Sequence, residues 1–434
     1  MRTRLPLIPS ALAAAALAVA MVVAAPGAAN AGGGAAGLRR IDHFVVLMQE
    51  NRSADTYLGH LSAFDPTSGF QPEPATGNPD PTDPTRTIRP FHKDRLCEVA
   101  DLDHSWNGTH REWDGGRMDG FTAANAVTAD PTGSRSMGYY DQRDLPYYYA
   151  LYNTFATSDR QFASVLSQTF PNRFYLLAGT SFGHIRNDFP AGAGDFDVPT
   201  IFQRLDGAGV SWRIYFSQIA FGLEFKYVRD HAAGHVFPIS QYYADAATGQ
   251  LPSVSFVDPV FVGPADAETD EHPPSNVQVG EKFSADVIDA LMHSPDWPTS
   301  ALIHTYDEHG GFYDSVAPPR APAPDDIAPM LQPGDAPGGF DRLGVRVPIA
   351  VVSPWSRPHF VSHVARDHTA VLKLIETRYG LAPLTRRDAW VPNMLEFFDF
   401  SHGPAFLVPP PLPPAPVDPA QAAACATAPP PGGF

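Results

Sequence analysis

The chain has 434 residues, a formal charge of −17 and 44% hydrophobic residues. That length exceeds a single small core and suits one large α/β domain with long loops. The acidic balance, without a basic patch or a Lys-rich run, argues against a nucleic-acid partner and against tight adsorption to anionic lipid.

At the start of the chain, Arg2 and Arg4 precede an Ala/Val-rich run from Ala11 to Ala25, and Ala29-Asn30-Ala31 has the A-x-A form of a cleavage site. Residues 1–31 are expected to be a secretory signal cut after Ala31, which places the protein outside the cell or in the cell envelope; a retained N-terminal anchor is the alternative. Thr3 separates the arginines, so no consecutive pair supports a twin-arginine signal. Without Arg2 and Arg4 the charge of −17 becomes −19. No later segment offers the roughly 18 apolar residues a spanning helix needs, so no stable membrane anchor is expected. Cys97 and Cys425 are the only cysteines, and in an oxidising compartment they could close one disulfide that ties the tail back to the body.

Short apolar, β-branched runs predict buried strands at Phe44–Met48, Val210–Tyr215, Val254–Val257, Leu302–Tyr306 and Val347–Val352. Between them, Phe283, Val287 and Leu291 recur at helical spacing, as do Val371, Ile375 and Tyr379 before Gly380. Alternating strands and helices imply a mostly parallel sheet covered on both faces, which takes its ligands at the carboxyl ends of the strands. Asp65–Pro90 and Pro318–Gly339 have loop composition, and the Pro/Ala-rich tail 409–434 is expected to run over the surface.

Two strand ends carry acids where turn residues are usual. The run Ile41–Met48 stops at Gln49-Glu50-Asn51-Arg52-Ser53, and Leu302–Tyr306 stops at Asp307-Glu308-His309-Gly310-Gly311. Adjacent carboxylates repel unless a cation or donors compensate, and a hard divalent cation with oxygen ligands is a natural partner. A solvated turn is the bland reading of either end alone. In Thr169-Phe170-Pro171-Asn172-Arg173, Pro171 suits the first position of a helix that ends at Gly179. Thr169 then precedes the helix N-terminus, as a cap or as a nucleophile whose alkoxide a metal stabilises. Asp103-His104, Glu271-His272 and Asp367-His368 lie at element boundaries, where a carboxylate can orient an imidazole.

Taken in order, Gln49–Ser53, Asp103-His104-Ser105-Trp106, Thr169–Arg173, Glu271-His272-Pro273, Tyr306-Asp307-Glu308 with Gly310–Asp314, and Arg346-Val347-Pro348 through Ser353-Pro354-Trp355 resemble the bacterial phosphoesterase family. That family includes phosphatidylcholine-type phospholipases C and acid phosphatases, within the alkaline phosphatase-like superfamily. The resemblance spans about Leu38 to Val408, residues 38–408 being read as one catalytic domain. It implies an alkaline phosphatase-like α/β sandwich with long inserted loops. It also implies one divalent metal ion (Ca, Mg, Mn or Zn) held by Glu50, Asp307 and Glu308, with Asn51 contacting metal or phosphate oxygen. Thr169 would be the metal-activated nucleophile forming a phospho-threonine, and His104 and His272 would bind phosphate oxygens or protonate the leaving alkoxide. Asp367 and His368 form a second tier with no step assigned.

Two features depart from the family pattern. Ser315 stands where the family often has His after Gly310–Asp314, and the extra C-terminal β domains of many phospholipases C are replaced by a Pro/Ala tail. The leading expectation is an exported hydrolase of a phospholipid phosphodiester, phosphatidylcholine or similar. The alternatives are an acid phosphatase on soluble monoesters and a non-catalytic binding protein of the same fold. Trp106, Trp113, Tyr139 and Tyr140 offer an aromatic cage for a quaternary ammonium, against the more common role of such residues in packing.

Overall fold

The computed structural model describes residues 34–265 and 267–427; the expected signal segment lies outside them. An eight-stranded sheet organises the chain. In chain order its strands are β1 (His43–Gln49), β2 (Ala156–Ser158), β3 (Trp212–Phe216), β4 (Val236–Pro238), β5 (Val254–Asp258), β6 (Ser300–Tyr306), β7 (Ile349–Val352) and β8 (Val361–Ser362). Across the sheet the order is β8-β2-β7-β6-β1-β5-β3-β4. Only β7 runs against its neighbours β6 and β2; the other pairings are parallel. All five expected strands are present, and β2, β4 and β8 are additions two or three residues long.

Alternation along β1 accounts for the layers, because successive side chains of a strand point to opposite faces. Phe44, Val46 and Met48 enter a core shared with helices α2 (Thr169–Ala178), α3 (Ile201–Gly207) and α6 (Thr369–Tyr379). Val45 and Leu47 enter a second core with α1 (Pro146–Thr154), α4 (Ile239–Thr248) and α5 (Val277–Met292). A sheet buried on both faces explains why these strands read as continuous apolar runs. Among the described residues no helix is long and apolar enough to cross a membrane.

Two expectations need correction. The stretch 65–90 is not all loop, since Asn78–Asp80 and Asp83–Ile88 pair as an antiparallel hairpin. The helix after Gln168 begins at Thr169 itself, which makes Pro171 its third residue; Gly179 closes it in the left-handed conformation, as expected. In the tail, a short helix, Pro419–Cys425, carries Cys425 back to Cys97, with the Cα atoms 5.7 Å apart across the disulfide.

Candidate active site

Parallel pairing in register brings the ends of β1 and β6 side by side, Gln49 opposite Tyr306. Asp307 continues the ladder by donating its N–H to Gln49 O at 3.1 Å, while Arg52 N–H donates to Glu308 O at 3.0 Å. The two acidic strand ends therefore form one buried cluster at the carboxyl edge of the sheet, where parallel sheets hold ligands. Asn51 turns the chain at φ 63°, and its N–H donates to Asp307 Oδ1 at 3.2 Å. Gly310, at φ 64°, lies so close that an added Cβ would stand 2.5 Å from Asn51 O, so only glycine fits here.

Arg173 sits between the strand ends. From the second turn of α2 its Nη2 lies 3.1 Å from Glu50 Oε1 and its Nε donates to Asp307 Oδ2 at 3.1 Å. Nη2 also donates to Met48 O and Gln49 O, and the guanidinium lies over the rings of Phe221 and Phe261. Thr169, four residues earlier on the same helix and buried, is thus held one turn from the group that touches both strand ends. Asn172 fixes the approach to Thr169: its Oδ1 accepts from Ser164 N and Val165 N, and its Nδ2 donates to Ser167 O and Gln168 O.

The acids are more numerous than the cations facing them. Burial raises the Glu50 carboxyl well above its usual range; Arg173 opposes this, and Asp307, Asp270 and Glu308 add to it. Burial also lifts Asp307 to about 6 against the pull of Arg173. Burial works against ionisation of Glu308 too, but His104, His309 and the Gly310 N–H outweigh it and hold this carboxyl low. Glu50 Oε1 and Oε2, Asn51 Oδ1, Glu308 Oε1 and Asp270 Oδ2 are buried without a hydrogen bond. Oxygen atoms left in this state, with excess negative charge around them, fit a hard divalent cation. Glu50, Asp307 and Glu308 are not drawn into one tight triad, because Arg173 spans the first two. Among the described residues the sets whose ligand atoms all lie within 4.8 Å are Asp101–His104–His272 and His92–Asp141–Asp144.

His104 and His272 face each other edge to face, with ring centroids 5.6 Å apart. Each anchors Nδ1 on a backbone carbonyl, Leu102 O at 2.9 Å and Pro273 O at 2.7 Å. This turns both Nε2 atoms inward, that of His104 lying 4.0 Å from Glu308 Oε1 and that of His272 3.8 Å from Asp101 Oδ2. Burial depresses both imidazoles; for His104 the carboxylates of Asp101 and Glu308 more than offset it and lift the ring to about 9, whereas His272 stays below its ordinary value.

The expected orientation of each histidine by the preceding acid is not what these residues do. Asp103 accepts from Ser105 and Arg111. Glu271 accepts from the hydroxyls of Tyr57, Tyr148 and Tyr306 inside the second core. Asp367 accepts from Thr369 and pairs with Arg387 at 2.9 Å. Asp101, three residues before His104, is the carboxylate beside both imidazoles; neither it nor Arg173 stood out in the sequence as a site residue. His368 meets the cluster from behind, its Nε2 donating to Asp307 O at 2.6 Å. The four aromatic residues do not converge on one cage: Trp106 packs on Phe340 and lines a cavity, Trp113 packs on Arg342, Tyr139 on His60 and Tyr140 on Tyr57. A cavity of about 300 Å³ opens beside the cluster, lined by Ser105, which follows His104, by Gln168, which precedes Thr169, and by Arg186, Asn187, Asp188 and Asp335.

The sequence profile of the Phosphoesterase family matches residues 41–382. Phospholipase C B of Mycobacterium tuberculosis is 36% identical over 85% of this chain and 79% of its own length. Non-specific phospholipase C1 of Arabidopsis thaliana is 32% identical over 84% of this chain and 72% of its own. Among solved structures, a protein in the alkaline phosphatase superfamily from Vibrio parahaemolyticus superposes with a TM-score of 0.37 at 12% identity, over 77% of this chain and 78% of that one.

Proposed function

The chain belongs to the Phosphoesterase family and is a phospholipase C-like hydrolase of phosphoester bonds; from that footing we propose that it cleaves the phosphodiester of a phospholipid, phosphatidylcholine or a similar lipid, with Thr169 as nucleophile. The observation that carries the reading is the pairing of β1 with β6, which brings Glu50, Asn51, Asp307 and Glu308 to one edge of the sheet, with Arg173 between Glu50 and Asp307 and one helical turn from Thr169. Glu50, Asn51, Asp307 and Glu308 are the residues that would hold a divalent cation, alongside the Thr169 hydroxyl. When bound, such an ion neutralises phosphate oxygens and lowers the pKa of a coordinated hydroxyl.

The protein's own groups do the rest. Asn172 and the first turn of α2 hold the Thr169 hydroxyl in line with phosphorus, and burial excludes competing water. As the Thr169 Oγ–P bond forms, the P–O bond to the diacylglycerol breaks. His104, kept protonated by Asp101 and Glu308, gives the leaving alkoxide its proton, while His272, a neutral ring turned inward on its carbonyl anchor, takes up the proton the Thr169 hydroxyl loses and then binds a non-bridging oxygen. Water then cleaves the phospho-threonine, releasing the phosphorylated head group and restoring the hydroxyl. Arg173 spans Glu50 and Asp307 and opposes the rise that burial imposes on both carboxyls. The disulfide between Cys97 and Cys425 suits an oxidising compartment and supports export by the N-terminal signal.

Thr169→Ala is expected to lower kcat on p-nitrophenylphosphorylcholine by at least about 10³-fold, the scale seen for loss of a catalytic nucleophile, with unchanged thermal unfolding. Unchanged turnover would remove Thr169 from its role. The ratio of diester to monoester turnover across pH separates the two enzyme readings: preference for the choline diester supports the phospholipase, and preference for p-nitrophenyl phosphate with an acid optimum supports the phosphatase.

A further inference from the structure

The loop that follows α2 and the long loop 318–339 run beside each other at the mouth of the 300 Å³ cavity. Met330 N–H donates to Gly183 O at 2.8 Å, Thr180 Oγ1 donates to Asp325 at 2.5 Å, and Arg186 pairs with Asp335 at 2.5 Å. The first loop returns to the start of its own helix, where Asn187 Oδ1 accepts the Phe170 N–H at 2.8 Å. These ties fix what the loops present to solvent. Phe189, Ile327, Met330 and Leu331 are 55%, 49%, 47% and 42% exposed. Phe189 also packs edge-on against Phe170, next to Thr169. Large apolar side chains gathered on two braced loops mark an interaction surface, whereas the same side chains scattered singly would need no explanation.

Resting on the phospholipid reading above, we propose that this rim docks on a neutral, zwitterionic lipid surface and presents the polar cavity to the head groups. Three observations select that partner. The cavity, which reaches Gln168 next to Thr169, is lined mostly by polar side chains, the Arg186–Asp335 pair among them, with the Trp106 ring as its one aromatic face, a lining that suits a head group rather than acyl chains. The exposed tips belong to the two loops that line the cavity, Phe189 directly after Asp188 and Ile327, Met330 and Leu331 ahead of Asp335, so that acyl chains would stay in the bilayer beside it. A net charge of −17 disfavours anionic membranes and leaves neutral ones available. A membrane-engaging surface would then be built into the catalytic fold and need no separate module.

The test compares an interfacial with a soluble substrate. Met330→Asp/Leu331→Asp alters only the exposed tips, and Val408→Asp is the control. Val408 is 83% exposed and lies near Phe406, whose carbonyl accepts from Trp297 at the opposite, amino-terminal edge of the sheet. The rim variant is expected to lose at least tenfold in hydrolysis of phosphatidylcholine vesicles and in co-sedimentation with them, to keep p-nitrophenylphosphorylcholine turnover within twofold, and to differ in this from the control. Vesicle hydrolysis and sedimentation equal to wild type would overturn the docking surface. So would a solution mass of two chains that the rim variant halves, since a second copy would then occupy the rim. If wild-type protein sediments with vesicles but turns over no diester, the substrate reading fails while the docking surface stands.

Discussion

At the scale of single residues, the proposed site separates groups assigned to the reaction from groups that hold them in place. Glu50, Asn51 and Glu308 keep buried oxygens without hydrogen bonds, whereas Glu271 and Asp367, equally buried, are saturated by hydroxyls and an arginine. His304 is a further buried histidine with a purely internal role. Its Nδ1 accepts from Tyr152 Oη at 2.8 Å, and burial pushes the ring down to about 3. An unfolded histidine titrates near 6.5, so between about pH 3 and pH 6.5 the unfolded chain binds a proton that the folded one refuses. Stability contributed by the neutral ring is complete above that window and is lost as pH falls through it. His304→Gln keeps an acceptor for Tyr152, and urea unfolding from pH 6 to pH 4.5 should then show a slope shallower than wild type by about 1 kcal/mol per pH unit. Parallel slopes would mean that His304 is protonated in the folded protein.

At the scale of elements, the strand ends were legible because a run buried on both faces must be apolar and its interruption by acids is conspicuous. The same logic hid β2. Ala156-Thr157-Ser158 lies in the interior of the sheet, but its Thr157 and Ser158 hydroxyls satisfy themselves on Ile349 O and Ser362 O, so no apolar run announces it. Arg173 was quoted in a motif yet its task stayed hidden, because its partners Glu50 and Asp307 are more than a hundred positions away on either side. Asp101 belongs to no periodic element at all. Thr169 was legible as a helix-start residue, but its place inside the first turn was not, since Pro171 tolerates several positions there. Element docking also explains the tail. The helix Pro419–Cys425 is held by the disulfide and by Gln421, whose Nε2 donates to Asp94 O and whose Oε1 accepts from Leu96 N. A closed loop of 328 residues corresponds to about 6 kcal/mol in the chain-entropy limit. Cys97→Ser/Cys425→Ser should lower the thermal midpoint by several degrees and leave kcat within twofold; a shift in kcat with an unchanged midpoint would contradict a purely structural bridge.

At the scale of the whole molecule, the carboxyl edge of the sheet holds the proposed reacting groups, two long loops frame the way in, and the tail runs from Trp297 at the amino-terminal edge to the start of α5, where Asp418 N–H donates to Gln278. Buried acids outnumber the cations facing them at that edge, an arrangement that costs stability and is retained where charge must be met by a ligand. The central claim is that the phosphoryl group passes through Thr169. Turnover of p-nitrophenylphosphorylcholine should be quenched with acid within the first catalytic cycle, and the peptide carrying Thr169 sequenced by mass spectrometry. A phosphocholine ester on Thr169, absent from Thr169→Ala, is the predicted result. Full-rate turnover with Thr169 unmodified, or with the ester on another residue, would contradict the account.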